Sequence, residues 1–148
     1  MPIRRTAHAV YDIKYHFVWI PKYRKSILTQ EIAEYVKSVF HRIAEQYEWE
    51  IDTVEVVEDH VHLLLYASPR YAPSQIIQRL KSISAKEVFR RFPWVRQQLW
   101  GGEFWSDGYF VRTVGDEVTT EVIRRYIQYH QHQREDLQLE LPFGEGTG

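Results

Sequence analysis

Residues 49–67 of this chain read WEIDTVEVVEDHVHLLLYA. Two runs rich in β-branched and apolar residues flank the polar pair Glu58 and Asp59, where a tight turn fits. This pattern predicts an antiparallel hairpin with strands over residues 49–57 and 60–67. The hairpin makes an antiparallel sheet the expected basis of the fold.

The second strand of this hairpin carries two histidines on one face. Side chains alternate between the faces of a strand, so His60 and His62 project to the same side. Val61, Leu63 and Leu65 project to the other side. Neutral imidazole is the commonest metal ligand among protein side chains, and two converging imidazoles form half of a divalent-metal site. The strand therefore has an apolar back and a candidate metal-binding front.

Hydrophobic periodicity predicts the elements on either side of the hairpin. Their order is that of a ferredoxin-like, or RRM-like, α+β sandwich, an antiparallel sheet with helices on one face, followed by a C-terminal helix. The predicted elements are a strand over residues 11–20, a helix over about 29–47 with Thr29 as its N-cap, the hairpin, a helix over about 74–91, a strand over 109–114 and a third helix over about 119–133.

The composition indicates one globular domain over residues 1–148, large enough to bury an ordinary core, with a flexible acidic tail from about residue 135. The chain has no cysteine, so nitrogen and oxygen atoms must hold any metal. No segment approaches the roughly 18 consecutive apolar residues that a membrane span requires. We therefore expect a cytoplasmic protein without a membrane partner. No P-loop or dinucleotide motif is present, and we expect no nucleotide cofactor.

Charge is unevenly distributed along the chain. The formal net charge is -1, which by itself does not favour nucleic acid, because a phosphate backbone attracts lysine and arginine. Basic residues nevertheless cluster after the first strand and on the second helix, where we expect them to project largely outward. These clusters permit DNA binding without requiring it. The candidate DNA-binding residues are Lys22, Arg24, Arg79, Lys81, Lys86 and Arg90.

Tyr126 and His130 lie four residues apart on the predicted third helix. Residues at this spacing share a helical face, so a phenol and an imidazole can enter the same site. Gln131 is turned by about 100° from His130 on an ideal helix, which favours His130 as the third metal ligand. With Tyr126 as the nucleophile, these residues suggest a metal-assisted transesterase that uses tyrosine.

Other residues compete for these roles. His16 and Glu58 are conceivable metal ligands, although no spacing links them to the tyrosine. Asp59 is adjacent to His60 and could orient that ligand without binding the metal itself. Tyr126 could instead belong to the core. Further residues of the third helix that leave the assignment open are Tyr129, Gln131, His132 and Gln133.

Four motifs occur in a fixed order between residues 10 and 133. They are YHFVW at 15–19 followed by KYR at 22–24, DHVHLL at 59–64, FWSDGYFVRTVG at 104–115 and YIQ at 126–128. Together they resemble the single-tyrosine HUH transposases of small bacterial and archaeal insertion sequences. One such motif alone is weak evidence, whereas four in order are specific.

The resemblance implies a homodimer that uses Mg²⁺ or Mn²⁺ to cut and rejoin single-stranded DNA beside hairpins. It implies that Tyr126 attacks the scissile phosphate to form a 5′-phosphotyrosine, while His60 and His62 hold the metal. In the family the third ligand, four residues after the tyrosine, is commonly glutamine, and in this chain that residue is His130. Each active site can lie within one chain or be shared between two.

Two alternatives share this resemblance. One is a domesticated, repeat-associated tyrosine transposase that processes chromosomal palindromes by the same chemistry. The other is a catalytically silent protein that binds DNA hairpins. A short acidic tail in place of an added DNA-binding domain slightly favours the mobile transposase.

Overall fold

The computed structural model describes residues 4–5, 10–11, 13–22, 27–99, 103–113 and 127–128. Nine helices and strands have defined bounds within this part of the chain. They are β1 (Arg4–Arg5), β2 (Val10–Tyr11), β3 (Lys14–Trp19), α1 (Gln30–Tyr47), β4 (Glu50–Val57), β5 (His60–Tyr66), α2 (Pro73–Arg91), α3 (Pro93–Gln98) and β6 (Phe110–Thr113).

The main sheet has four strands in the order β4-β5-β3-β6, and every neighbouring pair is antiparallel. Since β3 and β4 both run antiparallel to β5 between them, they are parallel to each other, which is the split βαβ arrangement. The hairpin turn lies at Glu58 and Asp59, with Val57 paired to His60. This topology confirms the predicted ferredoxin-like sandwich. The predicted first strand begins later than expected, at Lys14.

Helix α1 begins and ends as its sequence indicates. The Thr29 side chain accepts a hydrogen bond from the Ile32 amide at 3.4 Å, which satisfies one of the free amides of the first turn. At the other end Glu48 adopts the left-handed conformation, with φ 59°, and donates its amide to the carbonyls of Ala44 and Glu45. Seven residues of the apolar stripe are buried: Ile32, Ala33, Val36, Val39, Phe40, Ile43 and Ala44.

The hydrophobic core lies between one face of the sheet and helices α1 and α2. Phe17 and Trp19 of β3 join the alternate apolar residues of β5 in this core, and all are fully buried. Burial of such large side chains is the main favourable term for the fold. The sheet is thereby fixed with its histidine-bearing face turned away from the helices.

Helix α3 was not expected from the sequence. It has six residues, begins at Pro93 and buries Val95 against the core. A helix this short does not show two turns of periodicity, and therefore gives no clear amphipathic signal. No helix of the described residues has the length and apolar character to cross a membrane.

Two predictions concern residues outside the described part of the chain. The predicted third helix is described only at Ile127 and Gln128, which are helical, and Ile127 is buried. The acidic tail from about residue 135 lies outside the described residues.

Candidate active site

The candidate metal-binding histidines lie side by side on the open face of β5. His60 and His62 are half-buried, whereas Val61 and Leu63 behind them are completely buried in the core. The alternation predicted from the sequence is therefore present. A rigid strand with an anchored back holds the two imidazoles on one surface.

Asp59 orients the first of these histidines. Its Oδ1 lies 2.8 Å from Nδ1 of His60. A carboxylate at this position favours the tautomer in which Nδ1 carries the proton, and leaves Nε2 with the lone pair that a metal requires. Asp59 thus has the arrangement expected of a residue that orients a metal ligand.

His62 faces His16 across the β3–β5 ladder, with ring centroids 4.2 Å apart. Nε2 of His62 and both ring nitrogens of His16 are buried without a hydrogen-bond partner in the part of the chain that the structure describes. Buried polar atoms of this kind normally have a partner. The unpaired Nε2 of His62 is therefore a suitable atom to bind a metal.

Burial disfavours the charged form of both of these imidazoles. It lowers the pKa of His16 to about 4, and the neighbouring His62 and Arg112 act in the same direction. Burial also lowers the pKa of His62, with Glu55 opposing the shift and His60 adding to it. Neutral imidazole is the form that coordinates metal, so the lowered pKa of His62 favours its metal-binding form.

The described residues contain no group of three or more histidine and acidic side chains arranged to hold a metal ion. His16 and Glu58 therefore do not complete a three-ligand set with the histidine pair. Tyr126, His130 and Gln131 lie outside the described residues. The described residues consequently present two candidate nitrogen ligands, His60 and His62.

The predicted DNA-binding residues that the structure describes differ in their exposure and in their contacts. Lys22 forms an ion pair of 3.0 Å with Glu103, and Arg90 forms one of 2.5 Å with Glu87. Lys86 is exposed. Arg24 lies outside the described residues.

Arg79 differs from the expectation that it projects outward. It is half-buried, with its guanidinium carbon 4.9 Å from the ring centroid of Tyr47 and 5.9 Å from that of Tyr71. Trp49 stacks on Tyr47 at 5.0 Å, which extends the aromatic cluster. The aliphatic part of the arginine is covered by these rings, and the side chain is held in place by cation–π contacts.

Lys81 is also directed inward, towards the loop before β6. Its Nζ donates to the carbonyls of Ser106 at 2.7 Å and Gly108 at 2.6 Å. One turn later Ser84 accepts a hydrogen bond of 2.9 Å from Nε1 of Trp105. Helix α2 therefore fixes the FWSDG segment through two polar side chains.

The same loop also binds the chain that follows β3. The Lys22 amide donates to the Phe104 carbonyl, and the Ser106 amide donates to the Ile20 carbonyl, both at 2.9 Å. These two hydrogen bonds, at the first and third residues of FWSDG, explain part of the motif structurally. We did not identify Lys81 and Ser84 from the sequence as supports of this loop. Both are polar residues next to buried positions of a helix, and this pattern could have indicated their role.

The comparison with known families decides the assignment. The model of the family described as "Transposase IS200 like" matches residues 9–130 of this chain. The chain belongs to the IS200-like transposase family. Membership of this family implies DNA cleavage and strand transfer.

Two relatives support the assignment. The ISDra2 transposase TnpA of Deinococcus radiodurans is 39% identical over 126 residues, which cover 85% of this chain and 89% of that protein. The transposase for insertion sequence element IS200 of Salmonella typhimurium is 32% identical over 139 residues, which cover 93% of this chain and 90% of that protein. Both proteins are similar over nearly their whole length.

Solved structures agree with the fold. A crystal structure of a Deinococcus radiodurans R1 protein assigned as a transposase has a TM-score of 0.74 at 34% identity, and covers 88% of this chain and 97% of that chain. A REP-associated tyrosine transposase bound to a REP hairpin has a TM-score of 0.52 at 13% identity, and covers 79% of this chain and 63% of that chain. At that identity the second similarity concerns the fold alone.

Proposed function

We propose that this protein cleaves and rejoins single-stranded DNA at the hairpin-flanked ends of a mobile element through a 5′-phosphotyrosine intermediate on Tyr126. The observation that carries the proposal is the histidine pair of β5, held on the open face of the sheet in a chain of the IS200-like family. The whole-length similarity to two insertion-sequence transposases favours the mobile form over a domesticated relative or a silent hairpin-binding protein.

We propose that His60 and His62 hold Mg²⁺ or Mn²⁺, with His130 as the third protein ligand. The unpaired Nε2 of His62 and the Asp59-oriented His60 fit a metal that accepts nitrogen and oxygen ligands. His130 is chosen over Gln131 for its spacing from Tyr126. When bound, such an ion polarises the phosphate and stabilises the charge that develops on its oxygens.

The chemistry of the tyrosine is a balanced transesterification. The Tyr126 oxygen forms a bond to phosphorus and loses its proton, while the bond from phosphorus to the 3′ oxygen breaks and that oxygen takes up a proton. One phosphodiester is exchanged for another, so the free 3′ hydroxyl can reverse the step and no external energy source is required. A phenol with an ordinary pKa near 10 needs assistance to attack at neutral pH.

We propose DNA contacts for the basic residues, which differ in how freely their side chains can reach a phosphate. Lys86 and Arg90 are exposed on α2 and can approach a phosphate backbone directly. Arg79 and Lys81 have their donors directed towards rings and carbonyls of the protein itself. Lys22 and Arg24 follow the first strand of the sheet, and their proposed contacts rest on the sequence. We also propose a homodimer as the functional unit.

The test is the covalent adduct itself. Incubation with Mn²⁺ and pooled single-stranded DNA containing hairpins should give a protein–DNA adduct on a denaturing gel. Tyr126→Phe should abolish the adduct, because it removes only the attacking oxygen, and should keep hairpin binding within about twofold of the wild type. Tyr129→Phe is the matched control and should retain the adduct. An adduct that persists in Tyr126→Phe and disappears in Tyr129→Phe would assign the nucleophile to Tyr129.

A further inference from the structure

The corner between α2 and α3 exposes a tryptophan among arginines. Trp94 is 46% exposed, and Val57 is the only other large hydrophobic residue among the described ones that is similarly exposed. Its neighbours Phe92 and Val95 are buried and fasten the corner to the core. The indole is thus held outward on a rigid support, at a position where hydrophobic burial would favour the opposite orientation.

Two arginines close to Trp94 in the sequence, Arg91 and Arg96, are exposed at the same corner. The guanidinium of Arg91 lies over the Phe92 ring at 4.9 Å, and the same ring contacts Trp94 with centroids 6.5 Å apart. Arg96 lies over Phe89 at 5.6 Å. Neither arginine forms an ion pair with any described residue, so their charges are available to an anionic ligand.

Glu87, on the last turns of α2, is already paired. Glu87 forms ion pairs with Arg90 at 2.5 Å and with Arg42 of α1 at 3.7 Å. Among the described residues, the corner therefore presents two arginines without an ion pair and an exposed indole. An indole next to guanidinium groups is the combination that binds an unpaired base together with its phosphate.

We propose that Arg91, Trp94 and Arg96, here called the α2–α3 corner, form a binding site for single-stranded DNA that is separate from the histidine pair. Trp94 stacks on an unpaired base, and the two arginines contact flanking phosphates. The helices cover the face of the sheet opposite to His60 and His62. The corner therefore binds a part of the strand that lies away from the scissile phosphate. This inference rests on the proposed function, because it takes single-stranded DNA as the ligand.

The test measures binding of fluorescently labelled, mixed-sequence single-stranded DNA to the full chain by anisotropy. Trp94→Ala should weaken binding by about tenfold, and Trp94→Phe should recover most of the loss because a phenyl ring still stacks. Val57→Ala, at the other exposed apolar position, should bind as the wild type does. Circular dichroism melts establish that each variant is folded.

The arginines provide an independent readout. In Arg91→Gln/Arg96→Gln, the slope of log affinity against log salt should decrease by about 0.7 for each lost phosphate contact. Lys37→Gln removes the charge of a half-buried lysine that pairs with Glu34 in α1, and should leave the slope unchanged. An unchanged slope in the double variant would overturn the phosphate contacts even if the tryptophan variants fail to fold.

The possible outcomes separate this inference from the proposed function. If the wild type forms the Tyr126 adduct and Trp94→Ala binds DNA with the affinity of the wild type, the corner site is overturned and the proposed function stands. If the wild type forms no adduct and Trp94→Ala loses affinity for DNA, the corner site is supported and the proposed function is overturned. A change of oligomeric state in Trp94→Ala without loss of DNA affinity would assign the corner to a protein contact and overturn the DNA site.

Discussion

Asp59 is the described residue that most directly controls the orientation of a proposed metal ligand. Its Oδ1 lies 2.8 Å from Nδ1 of His60. Asp59 belongs to the turn, and His60 is the first residue of β5. Asp59→Ala should lower the affinity for Mn²⁺ by about tenfold or more, because the imidazole loses the partner that fixes its tautomer and orientation. Asp59→Asn should lose less, since the amide oxygen can still accept the Nδ1 proton. Titration calorimetry on the full chain measures both.

The adjacent turn residue serves as the control. Glu58→Ala changes the same turn and removes the same charge. It should leave Mn²⁺ affinity within about twofold of the wild type, because the proposal gives the orientation of His60 to Asp59. A larger loss in Glu58→Ala than in Asp59→Ala would contradict the role of Asp59 and favour Glu58 as a ligand.

At the level of the elements, α2 acts as the support of the loop that precedes β6. Lys81→Met removes both hydrogen bonds to the Ser106 and Gly108 carbonyls. We expect a loss of about 1–3 kcal/mol in the free energy of unfolding, because the buried carbonyl at Ser106 is left without this donor. Lys86→Met, an exposed lysine of the same helix, should change stability by less than about 0.5 kcal/mol. Urea melts of the two variants provide the comparison.

The contribution of Lys81 should also depend on pH. Burial lowers its pKa from 10.5 to about 8, and Asp107 opposes the shift. Between these two values the unfolded chain holds a proton that the folded protein does not, so this lysine makes the folded state more stable as pH rises through the window. The neutral amine still has two N–H groups for the two carbonyls. The stability difference between wild type and Lys81→Met should therefore grow from about pH 8 towards 10.5, and a constant or shrinking difference would contradict the lowered pKa.

The two proposed functional sites lie on opposite sides of the main sheet. The histidine pair lies on the open face, and the α2–α3 corner belongs to the helical layer. In a two-fold dimer the same surfaces occur twice, so a tyrosine from one subunit can meet the histidines of the other. Whether an active site takes its histidines and its tyrosine from one subunit or from two is therefore tested on the assembled dimer.

Mixed dimers test this sharing. His62→Ala and Tyr126→Phe subunits, each inactive alone, should regain adduct formation when combined, because one composite site then holds an intact histidine pair and the nucleophile. We expect at most about half of the wild-type activity per mixed dimer, since the second site carries both lesions. Mass spectrometry establishes that mixed dimers have formed. If such dimers give no adduct, each site is built within one chain.

Much of the fold follows from local properties of the sequence. The Glu58–Asp59 turn, the alternation along β5 and the Thr29 cap are each decided within a few residues, because turn chemistry, pleating and helix capping act over that range. The positions of His60 and His62 on one open face were predictable for the same reason. The apolar stripe of α1 likewise indicated which side of the helix meets the sheet.

The supports of the site were decided by the tertiary structure. Lys81 reaches carbonyls 25 and 27 residues further along the chain, and Ser84 meets Trp105 across 21 residues. Hydrophobic periodicity predicted that Lys81 projects outward, because the pattern indicates only which side of the helix faces the core. It does not indicate which loop packs against the other side. The facing rings of His16 and His62 and the short helix α3 also arise from strand pairing and chain reversal. The local sequence determined the helices and strands and the face of the sheet that carries the histidines. Contacts between distant segments determined which polar side chains are buried, paired or exposed, because these contacts form only when the helices and loops pack together.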